Sequence, residues 1–411
     1  MDHNPEKDKQ ERFERQARRQ LRKKQFSAYL KHLRDKGRWH WTLSICLIIV
    51  GVVVEHVLDS HLVWERARYA AYHVLQAKEI HPIRPKRTTL VVIGDDEYWN
   101  GELARRVPIK RDYLARVVSA LDKGEPCEII LDFDFESPAP QSGAYEAPAY
   151  SAETKILADT IIDVSSRRKI VLPRTIEPQG ALNVREPAVL DNYNFDSARI
   201  GQGYINLPED MREIPLTAPL KGGGKLDSLA TAAVRLIDPQ AVVEAEGMRG
   251  DSLPFGTFIE PEKFKTLTTT EVLNADPRTL KSKIECSLVI VGGVWHKDAY
   301  GRGKQADAIL TPAGNIAGVF AHANFIEALL DSRTFRPLAM WQRIFLGVGL
   351  SLLLAVTMAS PWRSWVRVTL VLTISALPVM ISYFFRQNLG VFFDFFLPSV
   401  MVLVHWIVVR K

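Results

Sequence analysis

A chain of 411 residues with 47% apolar and 24% charged side chains has the composition of a folded protein, with room for one large or two ordinary domains. Charge is spread unevenly: residues 1–38 carry 13 Lys or Arg against 6 Asp or Glu, residues 340–411 carry 6 against 1, and residues 59–339 carry 34 against 39. The isoelectric point near 9.1 therefore belongs to the two ends. A mildly acidic middle argues against nucleic acid as its partner, and basic ends beside apolar segments read as membrane topology signals.

Residues 1–38 read as a long basic helical tail whose few apolar residues are Phe13, Leu21, Tyr29, Leu30 and Leu33. The composition suits a solvated or lipid-surface helix that fixes orientation, with a docking helix for a cytosolic partner as the second reading. Residues 39–58 follow as a first membrane helix, apolar from Trp41 to Val54 and flanked by Trp39, Trp41, Glu55 and His56. A cleaved signal peptide fits less well, because a long charged segment precedes it and no small-x-small site follows.

The stretch from Thr88 to Glu136 organises the large middle segment, residues 59–339. TTLVVIGDDEYW predicts a strand running into acids, PIKRDYLARVVSALDKG a helix, and CEIILDFDFE a second strand running into acids. The β-branched run from Leu90 to Ile93 lacks polar alternation, which suits a strand covered on both faces. The helix puts Tyr113, Leu114, Val117, Val118 and Leu121 on one face and stops at Gly124. Strand, helix, strand implies a parallel crossover, and ligands of such sheets lie beyond the carboxyl ends of the strands, where Asp95, Asp96, Asp132, Asp134 and Glu136 fall.

Farther along, Ser137–Tyr150 reads as a loop, Ala152–Ser165 as a helix and Lys169–Pro173 as a third strand. Gly201–Leu216, with turn residues between apolar pairs, suggests a hairpin. Ser228–Ile237 is a helix, LVIVGG a buried strand ending at Gly293, and Gly318–Leu330 a helix that brings His322 and Asn324 near the loop before it. The middle is thus one α/β domain, a mostly parallel sheet with flanking helices. The chain holds no GxxxxGK[ST], GxSxG or HExxH, and Lys221–Lys225 (KGGGK) is a loop without the hydroxyl residue or preceding strand of a phosphate site.

Residues 340–411 supply three more apolar segments, 340–359, 366–385 and 389–409, each near the length needed to cross a bilayer. With the basic tail inside, one helix before and three after put residues 59–339 outside and return Arg410 and Lys411 to the cytoplasm; only Arg386 opposes the rule. Asp394 is costly in lipid unless it lies near the surface, where Arg386 is its expected partner. Pro378 and Pro398 bend the last two helices.

The order of these motifs resembles the CHASE2 sensory domain, an extracytoplasmic module of bacterial membrane receptors. VVIGDDE, PIKRDYLARVVSAL, IILDFDFE, GYINLPEDMREIPL, SLATAAVRL, SLVIVGG and TPAGNIAGVFAHANFIEALL occur in sequence order between one apolar helix and three. The family's Trp-Pro pair is reduced to Val107-Pro108, although Arg111 holds the Arg place. Family members commonly continue into a cytoplasmic enzyme, whereas this sequence stops at Lys411. The resemblance implies an inner-membrane, multi-pass sensor, itself no enzyme, that signals to a separate output or complex partner, with a homo-oligomer possible.

If the strands at Thr88, Cys127 and Leu288 are neighbours, Asp95, Asp132 and Asp134 converge on the loop from Asp298 to Pro312. Arg111 enters from the helix start as their compensator, in a two-pronged bond to one Asp, and His322 and Asn324 line the same pocket. Alternation would also let Asp132, Asp134 and Glu136 share a face and hold a hard cation, against the simpler reading of a strand end entering solvent. No ligand, metal or cofactor is named by these residues. An extracytoplasmic metal-assisted hydrolase and an assembly subunit of an envelope complex are the alternative functions. Cys127 and Cys286 each precede a buried strand: if the sheet follows the usual order the first strand separates them and no disulfide forms, whereas adjacent strands would allow one.

Overall fold

The computed structural model describes residues 84–331 except 107, 136–147, 178–182, 185–192, 208–210, 212, 221–222, 250, 255–258, 299–304 and 312–313. Toward the C-terminus it describes 336–337, 340–360, 362–389, 391–392 and single positions up to 407; of residues 1–83 it describes 24, 27 and 42. The chain divides into two compact units, Tyr69–Phe335 and Met1–Arg68 with Arg336–Lys411.

The larger unit is a three-layer α/β domain. In chain order its main elements are β1 (Thr88–Ile93), α1 (Arg111–Asp122), β2 (Glu128–Asp132), α2 (Pro148–Ser165), β3 (Lys169–Arg174), β4 (Ile200–Tyr204), α3 (Leu229–Ile237), α4 (Pro239–Arg249), β5 (Lys265–Thr268), α5 (Thr269–Asn274), α6 (Pro277–Ile284), β6 (Leu288–Gly293) and α7 (Gly318–Leu330). The six strands form one sheet in the order β5-β1-β6-β2-β3-β4, and every pairing is parallel.

Alternation along each strand sorts the core into two layers. Val91, Ile93, Ile129, Leu131, Ile170, Leu172, Val289 and Val291 pack with α1, α2, α5 and α6. Leu90, Val92, Ile130, Val171, Leu288 and Ile290 pack with α3, α4 and α7. The expected buried face of α1 is observed in full, since Tyr113, Leu114, Val117, Val118 and Leu121 are all buried. Gly124 follows α1 where a Cβ would come 2.5 Å from Ile284, so the glycine permits α1 and α6 to close up. Short helices start on side-chain caps: Ser228 accepts from Thr231 N–H, Asp276 from Arg278 and Thr279 N–H, and Thr268 with Glu271 forms a reciprocal capping box.

Several expectations are corrected. Gly201–Leu216 is not a hairpin: Ile200–Tyr204 is the parallel edge strand β4, and Glu213–Pro215 pairs antiparallel with Ser252–Pro254. Gly203 serves a close strand-to-helix approach, since a Cβ there would lie 2.7 Å from the Leu229 Cα. Strand β2 ends at Asp132, so alternation does not carry to Asp134, which is exposed; Glu136 lies outside the described residues. The sheet order also places β6, not β1, beside β2, so Cys127 and Cys286 head neighbouring strands. In agreement with the loop expected at KGGGK, Gly223 and Gly224 precede the Lys225–Asp227 strand, which pairs with Thr217–Pro219, at φ +86 and φ +87. Strand β5, a short Lys-Thr-Leu-Thr edge, was not anticipated from the sequence.

In the second unit, α8 (Met340–Ala359) has the expected bounds and α9 (Ser364–Leu389) extends the second expected segment at both ends. Among the described residues, Ser364–Phe384 is the one stretch of helix long and apolar enough to cross a membrane. Leu350, Leu354, Val371, Ile374 and Val402 pack together, while Phe345, Trp365, Met380 and Phe384 are exposed. Val391–Phe392, at the start of the third expected segment, pairs as a short strand with Arg336–Pro337. The first expected segment, apart from Thr42, lies outside the described residues, as do Asp394 and the Arg386 side chain.

One buried carboxylate secures the entry to β1. Glu327 on α7 is fully buried and accepts from Lys86 N–H at 3.1 Å, Arg87 N–H at 2.8 Å and Thr88 N–H at 2.7 Å, with the Thr88 hydroxyl as a fourth donor. Glu327→Ala strips these donors of their acceptor and is expected to cost about 3–5 kcal/mol. Thermal unfolding of the detergent-solubilised chain checks this: a variant melting with the wild type would show that the clamp contributes little.

Candidate functional site

Register brings the carboxyl ends of β1, β6 and β2 level, with Ile93 opposite Gly293 and Gly292 opposite Asp132. A parallel sheet presents its ligand crevice at this edge, and two clusters of polar side chains occupy it.

The first cluster joins β1 to β6. Asp95 Oδ1 accepts from the His296 backbone N–H and Oδ2 meets His296 Nδ1, both at 2.7 Å. A turn of π-helix, Asp96–Asn100, then carries Trp99 to the same place, where its indole N–H donates to the His296 carbonyl at 3.1 Å. Tyr98 stacks on Trp295 at 4.4 Å, and the Arg105 guanidinium sits over Trp99 at 5.1 Å. Both Asp95 oxygens are engaged within the fold, so this cluster acts as a clasp between strand ends.

The second cluster is Asp132, His322 and Asp307, on the α7 face of the sheet. His322, on the second turn of α7, is buried; its Nε2 lies 3.2 Å from the Ile205 carbonyl and 3.7 Å from Asp132 Oδ1. A carbonyl only accepts, so Nε2 carries the proton and Nδ1 is a bare acceptor. Nδ1 is buried and has no hydrogen-bond partner among the described residues. Two glycines make the floor. A Cβ on Gly292 would strike Val319 at 2.6 Å and approach Asp132 Oδ2 at 3.4 Å, and one on Gly318 would lie 2.1 Å from Asp307 Oδ2. The Asp307 carboxyl thus rests on the first residue of α7, although the residue as a whole is exposed.

Burial dominates the ionisation of this cluster. It pushes Asp132 up to about 7. Asp307 rises to about 6, through crowding around its carboxyl and then through the nearby Asp132 charge. Burial pulls His322 down to about 4, opposed by Asp307. Between about pH 4 and 7 the pair of Asp132 and His322 is therefore uncharged, a protonated acid beside a neutral imidazole. Among the described residues no donor meets Nδ1, which is left as a buried acceptor.

The remaining expected site residues disperse. Arg111 is buried on α1, on the opposite face from His322; its guanidinium donates to the Thr154 hydroxyl and the Phe135 carbonyl, and its backbone N–H to Glu153. It braces α1 against α2 and the end of β2. Asp134 accepts from the Thr175 hydroxyl at 3.3 Å, and Asp298 stands half-buried after His296. Asn324 does not line the pocket: its amide accepts from Ile259 N–H at 2.6 Å and donates to the Ile259 and Phe320 carbonyls. Two positions separate it from His322, and on a helix that turns it to another face. Among the described residues no three His, Cys, Asp or Glu side chains are grouped to hold a metal ion. His296 and Asp307 were missed by sequence reasoning, though His296 follows a strand end, as Asp95 does, and Asp307 lies in the loop already marked.

The pH dependence of stability separates the two members of the buried pair. Folded Asp132 keeps its proton up to about 7 whereas the unfolded chain releases it near 3.8, so its contribution falls as pH rises from about 4 to 7. His322 does the opposite: unfolded it protonates near 6.5, folded only near 4, so its contribution grows across that window. Asp132→Asn removes the first effect and leaves the His322 effect, while also lifting the charge that helps raise Asp307. Relative to wild type, its stability is expected to climb by on the order of 4 kcal/mol between pH 4 and 7. Parallel wild-type and variant unfolding curves across that range would remove Asp132 from the pair.

No curated protein and no solved structure matches the chain. The model of the CHASE2 domain matches residues 44–359, more than half of the chain. By that match the chain belongs to the CHASE2 family of extracytoplasmic sensory domains.

Proposed function

We propose that this chain is a membrane-anchored sensor whose 59–339 segment faces the extracytoplasmic side of a bacterial inner membrane. In this reading it takes a small hydrogen-bond-donating ligand beside Asp132, Asp307 and His322. The observation that carries the reading is His322 Nδ1, a buried acceptor left without a partner among the described residues, on a glycine floor at the crevice edge of the sheet. An unmet buried acceptor costs about 1–3 kcal/mol, which a fitting donor recovers on binding. Four membrane helices, one at 39–58 and three within 340–411, satisfy the distribution of basic residues and anchor the domain in lipid. The ligand signal leaves along α7, which ends at Leu330 ahead of α8 at Met340, toward a separate output protein or a second copy of the chain.

Topology and site are tested separately. In a cysteine-free background, Gly250→Cys is expected to react with an impermeant maleimide in intact cells, while Gln20→Cys and Lys411→Cys are protected. A protected position 250 would overturn the extracytoplasmic placement. For the site, wild type, His322→Phe and Asp132→Asn are extracted in mild detergent and their small-molecule content is compared by mass spectrometry. A compound retained by wild type and lost from both folded variants is expected; equal retention in all three would exclude this cavity.

A further inference from the structure

At the opposite edge of the sheet, the amino ends of β2 and β6 carry the two free cysteines of the domain, both exposed. Leu288 pairs with Glu128, so Cys127 and Cys286 precede strands that run side by side. The approach is fixed at two more points: Cys127 N–H donates to the Ser287 carbonyl at 3.0 Å and Cys286 N–H to the Glu125 carbonyl at 3.1 Å. Neighbouring strands lie about 4.8 Å apart, inside the Cα separation of about 4.4–6.8 Å that a disulfide spans. Glu125 at φ +54 and Cys286 at φ +52 are both left-handed, so Cys286 is released from the side that strand alternation would impose. Burial and then the neighbouring Cys286 thiol raise the Cys127 thiol above its ordinary value.

We propose that Cys127 and Cys286 form a reversible redox pair that closes into a disulfide by exchange with an oxidised thiol–disulfide carrier. One thiol loses its proton and attacks a carrier sulfur; the carrier's S–S bond breaks, its other sulfur leaves as a thiolate that takes up a proton, and a mixed disulfide remains. The second thiolate then attacks the first cysteine's sulfur and expels the carrier thiolate. The S–S bond forms, two electrons pass to the carrier, and the carrier leaves as a dithiol. The bond staples β2 to β6 at their heads, across a loop of about 160 residues, and lies apart from Asp132 and His322 near their tails. The chemistry rests on the geometry alone; its occurrence in cells rests also on the extracytoplasmic placement, because that compartment is oxidising.

The test uses the full chain with Cys46→Ser, which leaves only these two thiols. Reduced, detergent-purified protein is treated with oxidised glutathione. It is expected to lose two hydrogens in mass, to refuse maleimide at both positions until dithiothreitol is added, and to melt roughly 5–10 °C higher than the reduced form. Cys127→Ser is expected to take one glutathione and show no such rise. Thiols that remain open to maleimide, or two separate glutathione adducts, would overturn the pair. Acid-quenched cells alkylated before lysis supply the second arm. A bond found there supports both readings, whereas a bond that closes with glutathione but stays open in cells upholds the pair and overturns the placement.

Discussion

Glu327 accepts three consecutive peptide N–H groups at the point where the chain enters β1, from a position near the end of α7. The geometry resembles a helix cap transplanted to a strand: a run of donors that no neighbouring strand has yet engaged is met by one carboxylate. The entry lies at Lys86 and the exit follows Asp331, and Lys86 also bonds the Asp331 carboxylate at 3.3 Å. The first and last described segments of the domain are therefore fastened together. The exposed Lys86–Asp331 pair adds little, whereas the buried Glu327 interaction fixes how α7 lies on the sheet.

Three buried carboxyls in this domain meet three different fates, and donors decide among them. Glu327 is surrounded by peptide N–H groups. Glu128, at the head of β2, is fully buried with neither oxygen hydrogen-bonded among the described residues, and desolvation drives its pKa well above the usual carboxylate range. Burial without a donor therefore favours its neutral form. Asp132 stands between these extremes, raised to about 7 with an imidazole nearby that it does not closely bond. A carboxyl poised near neutrality changes its charge under mild conditions, and that distinguishes Asp132 from the other two.

The sequence revealed the fold well where periodicity was strong. The apolar run at Leu90–Ile93, the face of α1 and the bounds of α7 and α8 all follow from spacing. It was weak where tertiary context overrides local pattern: β5 is four residues of mixed polarity that become a strand because β1 offers an open edge, and Gly203 looks like a turn residue but exists for a close approach. Strand order was legible only in part. The crossover from β1 to β2 is written in the sequence, yet the insertion of β6 between them depends on pairings that no local signal records. The site shows the same division: Asp132 and His322 were found from their positions on elements, whereas Asn324 was placed with them because adjacency in AHAN was read as a shared face, which helical geometry denies. Arg111 was assigned to the acids for its charge, while the fold uses it to brace two helices.

Helix α7 links these features. His322 sits on its second turn over Asp132, Asn324 pins the chain at Ile259, and Glu327 holds the entry to β1. A ligand that satisfies Nδ1 favours whichever position of α7 presents that nitrogen best, and it shifts the population only by the difference in its affinity for the available positions. Because Glu327 bonds the peptide groups at β1, any such shift of α7 must either carry that segment along or break three hydrogen bonds at once. The second course costs several kcal/mol, about as much as one small ligand's donors can provide. The first is therefore favoured. On the proposed reading, binding at His322 moves the domain's entry at Lys86 and its exit at Asp331 together.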